Sequence, residues 1–213
     1  YGGVMGWTFF FFFMALISFT WLLTSLSACT SMTKSATNEN AQQQVLLVSV
    51  PEQKMLFIEN GQERDSFLIS TAKKGIGDVP DSYMTPPGTM EIAEKFGDNL
   101  ALGSVLKDRV ATGEVVPIES PARDPIVTRI LWLRGLEERN RNAYPRFIYI
   151  HGTPQESLLG TAASFGCIRM RSIDIVKLYD AISLGAKVVV SEAPLESLKA
   201  QWKLATMSVS VND

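Results

Sequence analysis

The sequence predicts a mainly β domain with one central α-helix and a short C-terminal helix. Three observations carry this reading. Short runs rich in β-branched and aromatic residues recur between Val45 and Val190, bounded by Gly, Pro, Asn or Asp. Asn60-Gly61 separates two of them, and that dipeptide accepts the positive φ angles a tight hairpin turn requires. The stretch opening at Ser172 has sustained helical spacing, with Ile175, Leu178, Tyr179 and Ile182 on one face.

Val45 to Val50 and Lys54 to Glu59 are strand candidates, and Ser66 to Ser70 returns as a third after the Asn60-Gly61 turn. Residues 72–88 read as a loop, because Gly75, Gly77, Pro80, Pro86 and Pro87 interrupt regular structure. Met90 to Ala93 resumes a strand. Residues 96–114 are turn-rich and read as an excursion over the surface. Ile126 to Leu133 and Phe147 to Ile150 have the composition of buried strands; the charged and polar stretch 135–145 between them reads as exposed. Ser172 is placed to cap the helix, Asp174 puts a carboxylate in its first turn, and Gly185 stands where a left-handed residue would close it. Lys187 to Val190 forms the last strand. Over 194–207, Leu195, Leu198 and Trp202 share one side of a short amphipathic helix. There is no internal repeat.

A chain of 213 residues has room for one ordinary domain and appendages. The formal charge of −2, the pI near 5.6 and the interspersed charge signs leave no basic footprint for nucleic acid. One histidine and no cysteine pair make a zinc site implausible, so no metal is expected, and without a phosphate-cradling glycine loop no cofactor is implied.

The N-terminus has a separate character. Val4 to Leu26 carries no charge and contains an unbroken phenylalanine run from Phe9 to Phe13. That length suits a spanning helix, which needs roughly 20 apolar residues. It ends in Leu26-Ser27-Ala28-Cys29, which resembles the lipobox of bacterial lipoproteins. The resemblance implies cleavage before Cys29 and lipidation of its thiol, a membrane partner held through acyl chains. Thr30, where an aspartate would favour inner-membrane retention, implies the periplasmic face of the outer membrane. The alternatives are a plain spanning anchor and an uncleaved signal. Residues 30–44 are polar and aperiodic and read as a flexible tether.

His151 is the single histidine of the chain, and Cys167 is the single cysteine outside the apolar N-terminal segment. A thiol attacks carbonyls as its thiolate and needs a base or positive field to become one. Cys167 follows Gly166 and precedes a helix start, where backbone N–H groups can stabilise a thiolate or an oxyanion. The bland readings are a buried apolar cysteine and a core histidine.

His151-Gly152-Thr153 and Ser164-Phe165-Gly166-Cys167-Ile168-Arg169, with Thr85-Pro86-Pro87-Gly88 upstream, resemble the L,D-transpeptidase catalytic domain (YkuD-type). The resemblance runs from about Gln44 to about Ser191. It implies a β-sandwich catalytic domain and the organisation 1–28 signal peptide, 29–44 lipidated cysteine and linker, 45–191 catalytic domain, 192–213 C-terminal tail with helical spacing. By the same resemblance Cys167 is the nucleophile and His151 the base, oriented by the carbonyl of Gly152. The N–H groups of Gly166 and Cys167 would hold the oxyanion. The partners would be peptidoglycan stem peptides, with D-alanine released and the acyl group passed to an amine. Acylation by carbapenems is implied as well. The oligomeric state is not encoded in any feature of the sequence.

One position departs from the family pattern: Phe165 stands where the family has a second histidine. Phe165 is expected to shape the pocket wall, leaving His151 as the sole base. Arg169 is expected either to bind a substrate carboxylate or to brace the Cys167 loop through its planar donor fork. Ser164 ties that loop, and Tyr83 and Thr85 form one wall of the cleft. The competing functions are an L,D-carboxypeptidase or cross-link hydrolase on the same fold, and a non-catalytic peptidoglycan-binding lipoprotein.

Overall fold

The computed structural model describes Gly2, residues 44–120 and residues 123–209. The apolar segment with Cys29, and the expected signal peptide, lie outside the described residues. Among the described residues no helix is long and apolar enough to cross a membrane.

Ten strands form one sheet: β1 (Gln44–Ser49), β2 (Lys54–Glu59), β3 (Gln62–Ser70), β4 (Gly88–Phe96), β5 (Ser104–Lys107), β6 (Val110–Val115), β7 (Val127–Gly135), β8 (Tyr149–Gly152), β9 (Ile168–Met170) and β10 (Lys187–Ser191). Their spatial order is β4-β10-β1-β2-β3-β9-β8-β7-β5-β6, and β4 also pairs with β7. The sheet therefore closes on itself, and β5–β6 hangs from β7 as an appended hairpin. The expected mainly β domain is present, closed by the β4–β7 pairing. Closure leaves β4 and β7 paired on both edges, as edge strands otherwise are not.

Helix α1 (Ser172–Ala181) packs on β7 and β8, and its Ile175, Leu178 and Tyr179 are buried with Leu46, Val48, Leu131, Ile150 and Ile168 in the main core. Helix α2 (Leu195–Val209) covers the other side of β1 and β2. This explains why β1 is buried at every position, since its alternate residues Leu46 and Val48 face the main core while Val45 and Leu47 meet Leu198. Within the segment expected as a C-terminal tail, Leu195, Leu198 and Trp202 pack on this cluster, and residues 203–206 are exposed.

The Asn60-Gly61 turn forms with φ of 53° and 74°. The surface excursion 96–114 instead contains the β5–β6 hairpin. Its turn is made by Asp108 and Arg109 at φ of 50° and 68° with no glycine, and β6 is exposed throughout, so neither turn chemistry nor alternation marks it. The stretch expected as exposed, 135–145, holds two fully buried residues, Asn140 and Ala143. Asn140 Nδ2 donates to the carbonyls of Pro87 and Thr89, at 2.9 Å each, which fastens this stretch to β4. Phe147, expected inside a buried strand, lies before β8 at φ 57° and is half exposed. Ser172 is the first helical residue rather than the cap: Glu156 Oε1 accepts its backbone N–H at 2.8 Å, and its hydroxyl meets Thr128 Oγ1. Gly185 has the expected positive φ, 84°, but helix α1 ends earlier, with Ile182 as its cap, and Gly185 turns the chain into β10.

Candidate active site

β8 and β9 run parallel, with Ile150 beside Ile168 and His151 beside Arg169. Side chains alternate faces along a strand. One face therefore carries Tyr149 and His151 from β8 with Arg169 from β9, and Cys167, one residue before β9, continues the same row. The opposite face sends Ile150, Ile168 and Met170 into the main core. β7, the other neighbour of β8, is bulged between Val127 and Ile130, opposite His151 and Gly152. Such bulges re-aim side chains beside active sites. Thr128 in the bulge has φ 73°, an outlier for a β-branched residue. A Cβ on Gly152 would lie 2.7 Å from the Val127 carbonyl oxygen, so this close approach of β7 needs glycine there.

Cys167 is half-buried at the margin of an aromatic cluster that includes Trp132 and Tyr149. Its thiol donates to the Phe147 carbonyl at 3.5 Å. Burial pushes the thiol up to about 11, against the Tyr149 backbone N–H and the cations of Arg169 and Arg146, which act the other way. Ser164, itself buried, staples the loop: its Oγ donates to the Cys167 carbonyl at 2.6 Å and accepts the Gly166 N–H at 3.2 Å. The Gly166 N–H, expected in the oxyanion hole, is thereby engaged, which leaves Cys167 N–H as the candidate from that pair. Gly166 has φ 128°, and a Cβ there would sit 3.2 Å from Ile148 Cδ1 and 3.4 Å from the Met84 carbonyl oxygen.

His151 is buried at 4 % exposure, and its Nδ1 lies 2.8 Å from the Gly152 carbonyl oxygen. A carbonyl only accepts, so Nδ1 carries the proton and Nε2 holds the free lone pair. Burial pulls the imidazole down to about 4, with Arg169 adding to the shift and the Gly152 contact and Asp124 opposing it. Together these values make the resting pair neutral imidazole and neutral thiol, and among the described residues the thiol's hydrogen-bond acceptor is the Phe147 carbonyl, not His151.

The family model of the L,D-transpeptidase catalytic domain (YkuD) matches residues 43–190. The chain belongs to this family. No curated protein matches. Among solved structures, an L,D-transpeptidase from Mycobacterium smegmatis is 18 % identical over 70 % of this chain and 58 % of its own, with a TM-score of 0.47. L,D-transpeptidase 3 from Mycobacterium tuberculosis, in complex with a faropenem-derived adduct, is 20 % identical over 70 % of this chain and 60 % of its own, with a TM-score of 0.46. A Bdellovibrio bacteriovorus protein is 16 % identical over 79 % of this chain and 56 % of its own, with a TM-score of 0.48. The chain spans less than two thirds of each of these structures.

Within this L,D-transpeptidase domain the remaining expected site residues divide. Thr85, expected in the cleft wall, is fully buried and cannot line a cleft; its hydroxyl donates to the Gly166 carbonyl at 2.9 Å and accepts the Ala72 N–H at 3.0 Å. It is a pin beneath the nucleophile loop. Arg169 is buried and ion-paired with Asp124, which also accepts the Thr153 hydroxyl at 2.6 Å. Of its two expected roles, the geometry supports bracing. Tyr83 and Phe165 are exposed, Phe165 at 74 %, and their rings meet edge to face at 6.1 Å. Phe165 therefore projects into solvent beside the loop and does not enclose the sulfur; the aromatic cluster does that. Asp124 and the Phe147 carbonyl were not read from the sequence, and Thr153 was read only as part of the His151 motif, without its bond to Asp124. Asp124 lies far from both motifs along the chain, and a carbonyl carries no side-chain signal.

Proposed function

We propose that this protein is a peptidoglycan L,D-transpeptidase that works through a Cys167 acyl-enzyme. The observation that carries the reading is the shared strand face of β8 and β9, which puts Cys167 and His151 in one row with Nε2 unprotonated. The sulfur gives up the Phe147 carbonyl and attacks the stem-peptide carbonyl between the L-centre of diaminopimelate and D-alanine. As the S–C bond forms, the thiol proton passes to His151 Nε2. Proton transfer must accompany attack, because burial disfavours both the imidazolium and the thiolate. The Cys167 N–H stabilises the oxyanion. The C–N bond then breaks, His151 returns its proton to the departing D-alanine amine, and a thioester remains. An acceptor amine then attacks the thioester and its proton passes to His151; the C–S bond breaks as the new amide forms, and His151 returns the proton to the Cys167 sulfur.

Intact mass and D-alanine release on a tetrapeptide stem test this. Wild-type protein should release D-alanine and carry the tripeptide acyl mass; Cys167→Ala should do neither. Release by Cys167→Ala would end the cysteine mechanism. The Leu26-Ser27-Ala28-Cys29 sequence supports a lipid-anchored, periplasmic position. Membrane-extracted protein should then carry a lipid mass that Cys29→Ser lacks, and an unmodified N-terminal segment in that fraction would refute the anchor.

A further inference from the structure

Arg169 and Arg146, the cations that act on the Cys167 thiol, are both held in buried ion pairs. A further cation, Arg109 at the tip of the β5–β6 hairpin, reaches the aromatic residues around the nucleophile. Its guanidinium lies over the ring of Trp132 at 4.8 Å and that of Phe147 at 5.3 Å, and Nη1 donates to the Tyr149 hydroxyl at 3.1 Å. Two of these residues also meet the nucleophile through their backbones. The Phe147 carbonyl accepts the Cys167 thiol, the Tyr149 backbone N–H supports it, and Cys167 packs against the cluster that contains Trp132 and Tyr149. Leu106 of the same hairpin sits in that cluster and fixes the arm to the face.

Asp108 and Glu94 act on Arg109 through space, but among the described residues no carboxylate lies within ion-pair distance of it. Glu94 accepts the Tyr144 hydroxyl, and Glu91 is bonded by Arg134 and Lys187. A guanidinium stacked on two rings and bonded through one nitrogen to a phenol keeps part of its donor fork free. Its orientation is already fixed, so an incoming anion orders little. An oriented fork with donors to spare, at the aromatic cluster against which Cys167 packs, fits a planar anion on the substrate.

We propose that Arg109 recognises a free carboxylate of the peptide that Cys167 attacks. The inference rests on the function proposed above and makes it more specific. Two carboxylates of a diaminopimelate tetrapeptide share this chemistry: that of the terminal D-alanine and that on the D-centre of diaminopimelate. A bidentate charge-assisted contact accounts for roughly a ten- to hundredfold preference over the corresponding amide.

The test is calorimetric binding on Cys167→Ala, which holds the peptide without turnover, using the free tetrapeptide and its two singly amidated forms. With Arg109 present, amidation at one position should weaken binding roughly tenfold or more, and that position names the carboxylate. In the Cys167→Ala, Arg109→Gln double variant the free peptide should fall to the level of that amide and the difference should vanish. Arg109→Lys should recover part of the affinity without the full discrimination. Equal binding of all three peptides with Arg109 intact, discrimination that survives Arg109→Gln, or no binding of any peptide would each overturn the assignment. The amide series uses the native arginine, so a poorly folding Gln variant does not spare the proposal. Because no turnover is read, an inactive Cys167 would fail the acyl-enzyme test above while leaving this one decisive.

Discussion

His151 carries its proton on Nδ1 and offers Nε2, and its burial sets a testable stability balance. Its imidazole falls from the usual 6.5 to about 4 on folding. Between those values the unfolded chain binds a proton that the folded chain does not, so stability falls as pH drops from 6.5 toward 4. The loss is roughly 3 kcal/mol once both limits are passed. Urea midpoints at pH 7 and pH 4 should differ by more in wild type than in His151→Gln; equal differences would contradict the burial account. Cys167 gives the opposite sign. Its thiol sits at about 11, so alkylation by iodoacetamide should be slow at pH 7 and climb well past pH 9. Rapid alkylation at pH 6 would mean a resting thiolate and would overturn the neutral pair. Replacement of His151 by Gln should cut acylation by about 10²- to 10⁴-fold. Thr85→Val would leave the Ala72 N–H without its acceptor and the Gly166 carbonyl without its donor, at about 1–3 kcal/mol for each unsatisfied group, seen as a lowered melting temperature and slower acylation.

Strands β8 and β9 do most of the positioning, and they also mark how far the sequence could be read. Tyr149, His151 and Arg169 fall on one face by period-two alternation, a pattern present in the sequence once the strands are assigned. The parallel register that sets His151 beside Arg169 is not, because a long connection with a single 3₁₀ turn at Glu156–Leu158 joins the two strands and does not fix their pairing. The β5–β6 hairpin was hidden for another reason: it turns on Asp108 and Arg109, residues that tolerate positive φ less readily than Asn-Gly, and it has little apolar alternation. Ser172 looked like a cap by residue type, yet tertiary contacts gave that task to Glu156. Helix α2 was legible from Leu195, Leu198 and Trp202. Its contribution is measurable: Leu198→Ala, at a buried position against Val45, Leu47, Leu56 and Ile58, should cost about 2–5 kcal/mol in urea unfolding. A change under 0.5 kcal/mol would show that α2 is not part of the cooperative unit.

At the scale of the molecule, the closed sheet, the two helices and the site form one mechanical argument. The main core seats α1 beneath β7 and β8, β4–β7 pairing closes the sheet, and the buried Arg169–Asp124 pair joins β9 to the segment entering β7. Asp124→Asn should therefore destabilise the whole domain by about 3–5 kcal/mol, because it strands a buried guanidinium. The family assignment agrees with this architecture, while the exposed Phe165, in place of the family's second histidine, leaves His151 as the sole imidazole available to the thiol. The account stands on that one base being sufficient. Intact mass of the purified protein after incubation with a carbapenem, beside Cys167→Ala and His151→Gln, tests this most directly. The account predicts a stoichiometric adduct on wild type, none on Cys167→Ala, and a strongly slowed one on His151→Gln. A folded wild type that forms no adduct, or a His151→Gln variant that is acylated as fast as wild type, would contradict it.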